Sequence, residues 1–353
     1  MLYYIFLFIF LGILCLLDVY PSIQIKRKQL LRTIFTIAII FVGGRHWCDN
    51  DFENYSFFFE NTPILYETSI KELSAIYLNW QVEIGYILSC SFLKIFGLGS
   101  QSIFFLCSFL TFFPLMLFFK KISRFPVISF FFFFFTLFTL PFVQMRFGVA
   151  TAFSTIALWN LAEHKKKKFW VWFFLALSFH MTSLVILSIY FLYEKKLSSK
   201  TALLICFASL ILSFIPIKLI FINIISFIGL GRYMTYAEDG SAGISSLIYF
   251  IIMLFPFIYY MDFFRKRIAY YDLLLIMGVM TILIGGIVRE VPILNRFSLL
   301  LSISYSIIVP SYLLLLERKS QIVGYILIVI FVFLKFIPSL NHIDNYDSIF
   351  FHL

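Results

Sequence analysis

The sequence predicts an all-α, polytopic integral membrane protein. Of its 353 residues, 62% are hydrophobic and 13% are charged, and the mean hydropathy is +0.98. Apolar side chains therefore far outnumber those that one soluble core can bury. They occur in long uncharged blocks, and blocks of about 18 or more residues are typical of spanning helices. We expect one membrane-embedded domain over residues 1–353, with about 10 to 12 transmembrane helices and short re-entrant or outer-surface helices.

Several apolar blocks reach or approach the length of a membrane span. They are Leu2 to Leu17, Ile103 to Phe119, Pro126 to Val143, Ser246 to Met261, Leu273 to Val288, Phe297 to Leu316 and Ile322 to Leu334. The first block could instead belong to a signal peptide, but residues 1–20 lack a basic n-region and a small-residue cleavage site. We therefore expect this block to be a retained helix.

Basic residues form short clusters between the apolar blocks, and these clusters predict the orientation of the chain. They are Lys26 to Lys28 with Arg32, Lys120 and Lys121 with Arg124, Lys165 to Lys168, Lys195 and Lys196 with Lys200, Arg265 to Arg267, and Arg318 with Lys319. The positive-inside rule places all of them in the cytoplasm, so the intervening segments and both termini lie outside. The net charge of +10 then reflects topology, and we expect no nucleic-acid partner.

Residues 83–119 leave the number of crossings open. Glycines at Gly97 and Gly99 divide this stretch into two helices. An odd number of crossings must nevertheless join an outer segment 44–81 to a cytoplasmic Lys120. We therefore expect one of the two helices to be tilted or re-entrant.

Residues 169–193 present a similar problem. They are long enough for one span at about 1.5 Å per residue, but one span would place Lys195 outside. Two half-helices that meet at His180 would remove the conflict, and so would a break near Pro216. The sequence does not decide between these alternatives.

The outer (periplasmic) segment 44–81 contains an unusual mixture of polar and aromatic side chains. Near its start lie Arg45, His46, Trp47, Asp49, Asp51, Glu53 and Tyr55. Carboxylates and aromatic faces suit a sugar, and a guanidinium suits phosphate oxygens. The alternative is an ordinary polar loop anchored at the interface by its aromatic residues. Apolar residues at near-helical spacing after Thr62 predict an amphipathic helix on the outer surface.

Other outer positions also carry ionisable side chains. Arg146 lies at the outer membrane boundary, where a charge is costly unless it is paired or faces water, so it either binds a ligand or forms a structural ion pair. His180 lies within an apolar stretch and is either hydrogen-bonded to a neighbouring helix or a phosphate ligand or proton carrier. Further arginines occur at Arg232, Arg289 and Arg296. An anionic ligand on the outer face would explain this concentration of arginine.

Several enzyme classes lack their motifs here. The chain contains no Walker, GxGxxG, HExxH or GxSxG sequence, which argues against ATPases, nucleotide-dependent oxidoreductases, zinc proteases and elbow-type hydrolases. Its five cysteines show no metal-binding spacing, so neither a disulfide nor a metal site is expected. We expect no cofactor.

Four short segments, taken in order, resemble the EpsG family of bacterial exopolysaccharide and O-antigen (Wzy-type) polymerases. They are Arg45 followed by Asp51, Phe52, Asn54 and Tyr55; Glu83 to Tyr86; Gln144 to Ala150; and Ala176 to Ser183. Asp49 and Asn50 stand where the family commonly has Gly-Thr, and Ile84 replaces a proline. The resemblance covers about Arg45 to Tyr193 and extends over the remainder only by hydropathy.

The resemblance implies glycosyl transfer at the outer face of the bacterial cytoplasmic (inner) membrane. The substrates would be undecaprenyl-diphosphate-linked oligosaccharides, and the product would be an O-antigen or another surface polysaccharide. A chain-length regulator and a flippase of the same pathway are the partners that this resemblance suggests. Because the diphosphate is already an activated leaving group, the reaction demands neither ATP nor a metal.

For this implied reaction we hypothesise the following roles for the candidate residues. The diphosphate would be bound by Arg146, Arg289 and Arg296, with Arg45 and Arg232 as lesser candidates. The base or acceptor-positioning group would be Asp51 or His180. The sugar-binding residues would be Asp49, Glu53, Trp47, Tyr55, Glu83 and Tyr86.

Two other functions compete with a polymerase. A transporter or flippase of lipid-linked oligosaccharide would use a similar outer face, although no internal repeat of the kind many transporters show is obvious. An O-acetyltransferase-like membrane enzyme would need a histidine and an acid on the cytoplasmic side. Only His164, beside a run of lysines, lies there.

Overall fold

A computed structural model describes residues 1–19, 27–228 and 243–352, and within them the side chains of 70, 73, 74, 77, 78, 224–228 and 342 are not described. Helices account for 79% of the structure. The described residues contain no β-strand, only two isolated bridges. The predicted all-α, polytopic membrane fold is confirmed.

The chain forms two compact units, which we describe separately. Unit 1 comprises Met1–Leu184 and Leu313–Leu353, and unit 2 comprises Val185–Tyr312. The helices of unit 1 are α1 (Leu2–Val19), α2 (Arg27–Gly43), α3 (Phe52–Asn61), α4 (Ile70–Trp80), α5 (Ile84–Ile95), α6 (Gln101–Ile122), α7 (Pro126–Thr136), α8 (Thr139–Phe142), α9 (Met145–Ala162), α10 (Lys166–Phe179) and, near the C-terminus, α19 (Gln321–Ser339). The single domain proposed for residues 1–353 stays a prediction.

Unit 2 contains the helices between Val185 and Tyr312. They are α11 (Ile186–Leu192), α12 (Ser199–Leu212), α13 (Ile217–Ile228), α14 (Ile244–Tyr259), α15 (Met261–Arg265), α16 (Tyr271–Ile287), α17 (Asn295–Leu301) and α18 (Tyr305–Ser311). Helix α16 packs against α12, α14 and α17. The approach to α12 is close because a Cβ added at Gly286 would lie 2.5 Å from the carbonyl oxygen of Ser209.

Four helical segments of the described chain are long and apolar enough to span a membrane. They are Leu2–Val19, Gln101–Ile122, Pro292–Leu315 and Gln321–Ser339. Shorter apolar helices occur at Ile84–Ile95, Pro126–Thr136, Met181–Leu192, Ile244–Tyr259 and Tyr271–Ile287. These helices fit a multi-pass protein, while the count of about 10 to 12 spans stays a prediction.

Helix α7 forms the apolar interior of unit 1. It packs against α1, α6 and α19, and all six phenylalanines from Phe130 to Phe135 are buried. Their rings contact other rings, for example Phe8 of α1 at 4.8 Å and Phe112 of α6 at 5.6 Å between centroids. Burial of such large side chains, each removing roughly 150–250 Å² from solvent, dominates the packing of a helical unit.

The helices α2 and α6 run antiparallel and define two ends of unit 1. At the basic end, Arg27 and Lys28 of α2 line a cavity of about 220 Å³ together with Lys120 and Arg124. At the other end, which we call the loop end, Gln101 at the start of α6 donates to the carbonyl oxygen at the last residue of α2, Gly43. Arg27 and Lys28 of the first basic cluster therefore lie near Lys120 and Arg124 of the second, as the positive-inside rule predicts.

Helix α5 begins and ends at the loop end. The Lys94 ammonium in its last turn donates to the carbonyl oxygens of Glu60 and Thr62, at the end of α3. Glu83, just before its first turn, pairs with Arg146 at the start of α9. Both ends of the 12-residue helix α5 therefore lie near the loop end. Between residues 83 and 122, α6 is the helix long enough to span a membrane, and it runs from the loop end to the basic end.

Both breaks that the sequence left open between 169 and 228 are present. Helix α10 ends at Phe179, and His180 is extended with φ −162° and ψ 131°. A short 3-10 helix, Met181–Val185, follows. Near Pro216, α12 and the first part of α13 are bent by 67° relative to each other.

A buried acid fixes the basic end of unit 1. Asp18, at the end of α1, is 1% exposed, and its Oδ1 lies 2.6 Å from Arg27 Nε. Its Oδ2 accepts hydrogen bonds from the first backbone N–H groups of α7, those of Val127 at 2.9 Å and Ile128 at 3.3 Å. The carboxylate therefore caps α7 and links it to α1 and α2.

Replacement of Asp18 by alanine should lower the free energy of unfolding by about 2–4 kcal/mol, because two buried N–H groups lose their acceptor. Thermal unfolding of the purified protein in detergent measures the change. Asp272→Ala is the matched control, since its ion pair with Arg265 is a third exposed and should contribute less than about 1 kcal/mol. Equal losses in the two variants would contradict the role given to Asp18.

Candidate functional site

A fully buried ion pair organises the loop end of unit 1. Arg45 and Asp49 each have side chains that are 0% exposed, and Arg45 Nε lies 2.7 Å from Asp49 Oδ2. Arg45 Nη1 donates to the carbonyl oxygen of Val42 at 2.8 Å. The other carboxylate oxygen, Asp49 Oδ1, accepts from the backbone N–H of Asp51 at 3.1 Å. The pair thus ties the end of α2 to the start of α3.

The guanidinium of Arg45 also contacts three later segments. Its carbon lies 4.7 Å from the ring centroid of Phe104 in α6 and 5.2 Å from that of Phe142 in α8. Nη2 lies 3.8 Å from the sulfur of Met145, the first residue of α9. Cation–π contacts of this kind compensate part of the desolvation cost of a buried guanidinium.

This burial changes the roles expected for Arg45 and Asp49. The sequence assigned Arg45 to the diphosphate and Asp49 to the sugar, but neither side chain has an exposed atom. Both carboxylate oxygens and all three guanidinium nitrogens are already engaged within the protein. We therefore revise both residues from ligand contacts to structural ones.

Arg146 lies in the first turn of α9 and directly follows Met145, whose sulfur contacts Arg45. Its Nη1 pairs with Glu83 Oε2, and its guanidinium carbon lies 5.9 Å and 6.0 Å from the ring centroids of Tyr55 and Tyr86. The side chain is 21% exposed and that of Glu83 is 20% exposed. Arg146 is therefore positioned by internal contacts while part of it still reaches the surface.

The rings of Tyr55 and Tyr86 pack against the Arg146 guanidinium on the buried side. Tyr86 is 0% exposed and donates from its hydroxyl to the backbone oxygen of Tyr55 at 3.1 Å, and Tyr55 is 5% exposed. Burial raises the pKa of Tyr55 to about 12, so the phenol stays protonated at neutral pH and does not act as a base. The sequence expected both rings to face a sugar, and their burial corrects that expectation.

His180 lies beside the start of α9. Its ring centroid is 5.0 Å from that of Phe147, the residue after Arg146. Nδ1 accepts the backbone N–H of Thr182 at 3.2 Å and lies 2.9 Å from its hydroxyl. A backbone N–H can only donate, so Nδ1 is the acceptor and a neutral imidazole carries its proton on Nε2. This tautomer makes Nε2 a hydrogen-bond donor.

Gly85, in the first turn of α5, permits this helix to pack closely against the last turn of α10. A Cβ added at Gly85 would lie 2.5 Å from Ser178 Oγ and 2.7 Å from the Ser178 carbonyl oxygen. Such contacts are shorter than real Cβ atoms adopt. The last turn of α10, which precedes His180, therefore packs directly against the first turn of α5, which follows Glu83.

Asp51 occupies the N-cap position of α3, but its side chain makes no capping hydrogen bond. Its carboxylate is half-buried and close enough to Tyr55 to oppose ionisation of that phenol. The backbone oxygen of Asp51 accepts the N–H of Tyr55 at 3.0 Å. Asp51 therefore lies next to Tyr55, whose ring contacts the Arg146 guanidinium.

Among the described residues, four of the eight buried side-chain polar atoms without a hydrogen-bond partner lie in the same segments. These four are Arg146 Nε, Gln144 Oε1, Ser56 Oγ and Ser183 Oγ. Ser56 follows Tyr55, Gln144 precedes α9, and Ser183 lies three residues after His180. Buried polar groups are normally satisfied, so such a group calls for a bound water or ligand. No role was predicted from the sequence for the two serines or for Gln144.

Two predicted sugar-binding side chains are accessible at the loop end. Trp47 is 57% exposed, with φ 43° in the left-handed region, and Glu53 is exposed on the first turn of α3. The indole lies 5.4 Å from the Phe52 ring between centroids. The strained backbone at Trp47 places a large aromatic face in solvent, where it can contact a sugar.

The remaining arginine candidates do not belong to unit 1. Arg289 follows α16, donates from Nε to the carbonyl oxygen of Ser213 at 3.0 Å, and lies 4.0 Å from Glu290. Arg296, in the first turn of α17, is half-buried. Arg232 lies outside the described residues. Diphosphate binding by these three arginines stays a prediction.

Comparison with protein-family models gives one family match. The model of the EpsG family matches residues 28–350, so the match extends well beyond the segments that suggested it. A search of curated proteins finds no significant match. A search of solved structures finds none either.

Replacement of Arg45 by methionine should lower the free energy of unfolding by about 3–5 kcal/mol, because Asp49 would remain buried without its cation. The double variant Arg45→Met/Asp49→Asn should be more stable than the single one, since no buried charge is left unpaired. Arg32→Met, at an exposed position of α2, is the control. Thermal unfolding in detergent measures all three, and a single variant as stable as the wild type would refute the structural role.

Proposed function

Because the chain belongs to the EpsG family, whose members are Wzy-like polymerases, we propose that it is a membrane glycosyltransferase that builds a surface polysaccharide. It joins oligosaccharide repeat units that are linked to undecaprenyl diphosphate. The reaction takes place at the outer face of the bacterial cytoplasmic membrane, to which the loop end of unit 1 is turned. Family membership supports the conclusion that the chain is a polymerase-like membrane protein. The charged and aromatic residues at the loop end support a lipid-diphosphate sugar substrate.

Arg146 carries this proposal. Its guanidinium is held by Glu83 and by two tyrosine rings, it is partly exposed, and its Nε is a buried donor without a partner among the described residues. A planar guanidinium that is partly exposed suits the oxygens of a diphosphate. A fixed positive charge also stabilises the charge that develops on a leaving group, and it needs no reorganisation during the reaction.

Glu83 keeps this cation in place before the substrate binds. An arginine at the membrane boundary is costly when it is unpaired, and the carboxylate neutralises it in the free protein. A diphosphate can displace or share this pair because both side chains are about one-fifth exposed. Glu83, expected from the sequence to contact a sugar, is thus proposed to position Arg146.

Asp51 is the better candidate for the base. During transfer, the oxygen of an acceptor sugar hydroxyl forms a bond to the anomeric carbon of the donor glycan. The bond from that carbon to the diphosphate oxygen breaks, and its electron pair leaves with the diphosphate. The hydroxyl proton passes to the Asp51 carboxylate, which lies close to Tyr55 beneath the Arg146 guanidinium.

His180 is better suited to donate a hydrogen bond to the diphosphate than to act as the base. With Nδ1 held as an acceptor by Thr182, Nε2 carries the proton in the neutral ring and can donate to a phosphate oxygen. The exposed Trp47 and Glu53 would contact the sugars of the incoming unit. The two candidates that the sequence left open for the base therefore receive different roles.

An Arg146→Lys variant should lose at least about 10²-fold in chain growth, because a lysine ammonium keeps the charge but not the planar fork. Gel analysis of surface polysaccharide from cells that carry only this variant should show single repeat units in place of the ladder. Arg124→Lys, at the basic end, is the matched control and should give a normal ladder. A normal ladder from Arg146→Lys would contradict the role of Arg146.

The same cells separate the polymerase from a flippase. Loss of a polymerase leaves single repeat units exposed on the outer face, whereas loss of a flippase traps them on the cytoplasmic side. Accessibility of the units to an impermeant sugar-modifying reagent in whole cells distinguishes these states. Units protected from the reagent would favour the flippase.

Asp51→Asn should lower the rate of chain growth by about 10²-fold or more, since the amide cannot accept the proton. His180→Gln should retain more activity than His180→Ala because its amide can still donate to a phosphate oxygen. The rate of polymer formation from lipid-linked repeat units by the purified variants measures both effects. Wild-type rates for Asp51→Asn would eliminate this carboxylate as the base.

A further inference from the structure

Three side chains away from Arg146 meet where the C-terminal segment lies against the start of the outer segment. His46, Asp347 and His352 each offer one ligand atom, and these atoms lie within 4.8 Å of one another. Asp347 Oδ2 is 3.4 Å from His46 Nδ1 and 2.8 Å from His352 Nε2. We propose that these residues bind a divalent transition-metal ion, and that this ion is Zn²⁺.

The donor set has the chemistry of a zinc site. Two imidazole nitrogens and one carboxylate oxygen, with water in the fourth position, form a common tetrahedral set around Zn²⁺. Bond lengths of about 2.0–2.1 Å place two such ligand atoms about 3.3 Å apart. The His46 separation of 3.4 Å fits this value. His352 Nε2 lies 2.8 Å from Asp347 Oδ2, so this side chain must move to admit the ion, and its 52% exposure permits such a movement.

Backbone pairing fixes the positions of the ligands. The N–H of His46 donates to the Asp347 carbonyl oxygen at 3.1 Å, and the N–H of Ile349 donates to the Gly44 carbonyl oxygen at 2.9 Å. Arg45 and Ser348 form an antiparallel bridge between these two bonds. The segments that carry the ligands are therefore held together before a metal binds, which lowers the entropic cost of binding.

Contacts with neighbouring residues orient the side chains of the proposed ligands. Asp347 Oδ1 accepts the N–H of Ser348 at 2.8 Å, so the other oxygen, Oδ2, faces both imidazoles. The His46 ring lies edge-on to the ring of Phe52, with centroids 5.5 Å apart. Outer contacts of this kind orient metal ligands and raise their affinity.

A bound ion would join two distant parts of the chain. His46 and Asp347 are 301 positions apart, so the metal would cross-link the outer segment to the residues that follow α19. The site adjoins Arg45, whose ion pair organises the loop end. We therefore assign the metal a structural role at the loop end, and this role does not depend on the proposed glycosyl transfer.

The test uses the full chain, purified in detergent with an affinity tag that contains no histidine. After treatment with EDTA, ZnCl₂ is titrated while bound zinc is measured by mass spectrometry and stability by thermal unfolding. The wild type should bind one Zn²⁺ per chain. Its unfolding midpoint should rise by roughly 4 °C at a free Zn²⁺ concentration about 100 times Kd.

Two variants assign the binding to these residues. His46→Ala removes one ligand, and His352→Gln keeps a hydrogen-bond donor toward Asp347 but replaces the imidazole with a poor zinc ligand. Each should bind Zn²⁺ at least 10-fold more weakly and lose the zinc-dependent rise in stability. His164→Ala, at an exposed histidine elsewhere in unit 1, is the control. A wild type that binds no Zn²⁺, or ligand variants that bind as tightly as the wild type, would overturn the proposal.

Discussion

The buried ion pair between Arg45 and Asp49 is the interaction on which the loop end depends. It lies between α2 and α3, and the guanidinium also contacts α6, α8 and α9 through Phe104, Phe142 and Met145. A guanidinium without solvent contact is tolerated only where charge, hydrogen bonds and aromatic faces all compensate its lost hydration. Because these partners come from so many segments, the pair links all of them at the loop end.

The neighbouring cation, Arg146, depends on this arrangement. Met145 contacts the buried arginine, and the next residue turns toward Glu83 and the surface. Two arginines at the loop end thus differ in their solvent contact, because Arg45 is fully buried and Arg146 is partly exposed. The sealed arginine stabilises the fold, and the exposed one is left with a donor that the described residues do not satisfy.

Hydropathy and charge were sufficient to predict the fold class, because a membrane requires long apolar helices whatever their tertiary contacts. They also predicted that one of the two helices within 83–119 is tilted or re-entrant. They could not identify that helix, since this depends on the hydrogen bonds from Lys94 to the end of α3. Likewise, both breaks near His180 and Pro216 are present, although either one would have satisfied the charge pattern.

The site was predicted less completely, for a physical reason. Sequence identifies an ionisable residue near a membrane boundary, but it does not show whether that residue is satisfied internally. Arg45, Asp49, Tyr55 and Tyr86 were expected to face a ligand and are instead buried.

The cluster of His46, Asp347 and His352 was missed for a different reason. Its members lie at opposite ends of the chain, so no local spacing reveals them. The expectation of no metal rested on the absence of local motifs, and the proposed zinc site is built from long-range contacts.

The most direct test of the central claim is an experimental structure of the full chain with undecaprenyl diphosphate, determined by electron microscopy in lipid nanodiscs. The account predicts phosphate oxygens within hydrogen-bond distance of the Arg146 guanidinium, with Arg45 still sealed against Asp49. A diphosphate bound elsewhere, with Arg146 unchanged in its pair with Glu83, would contradict it.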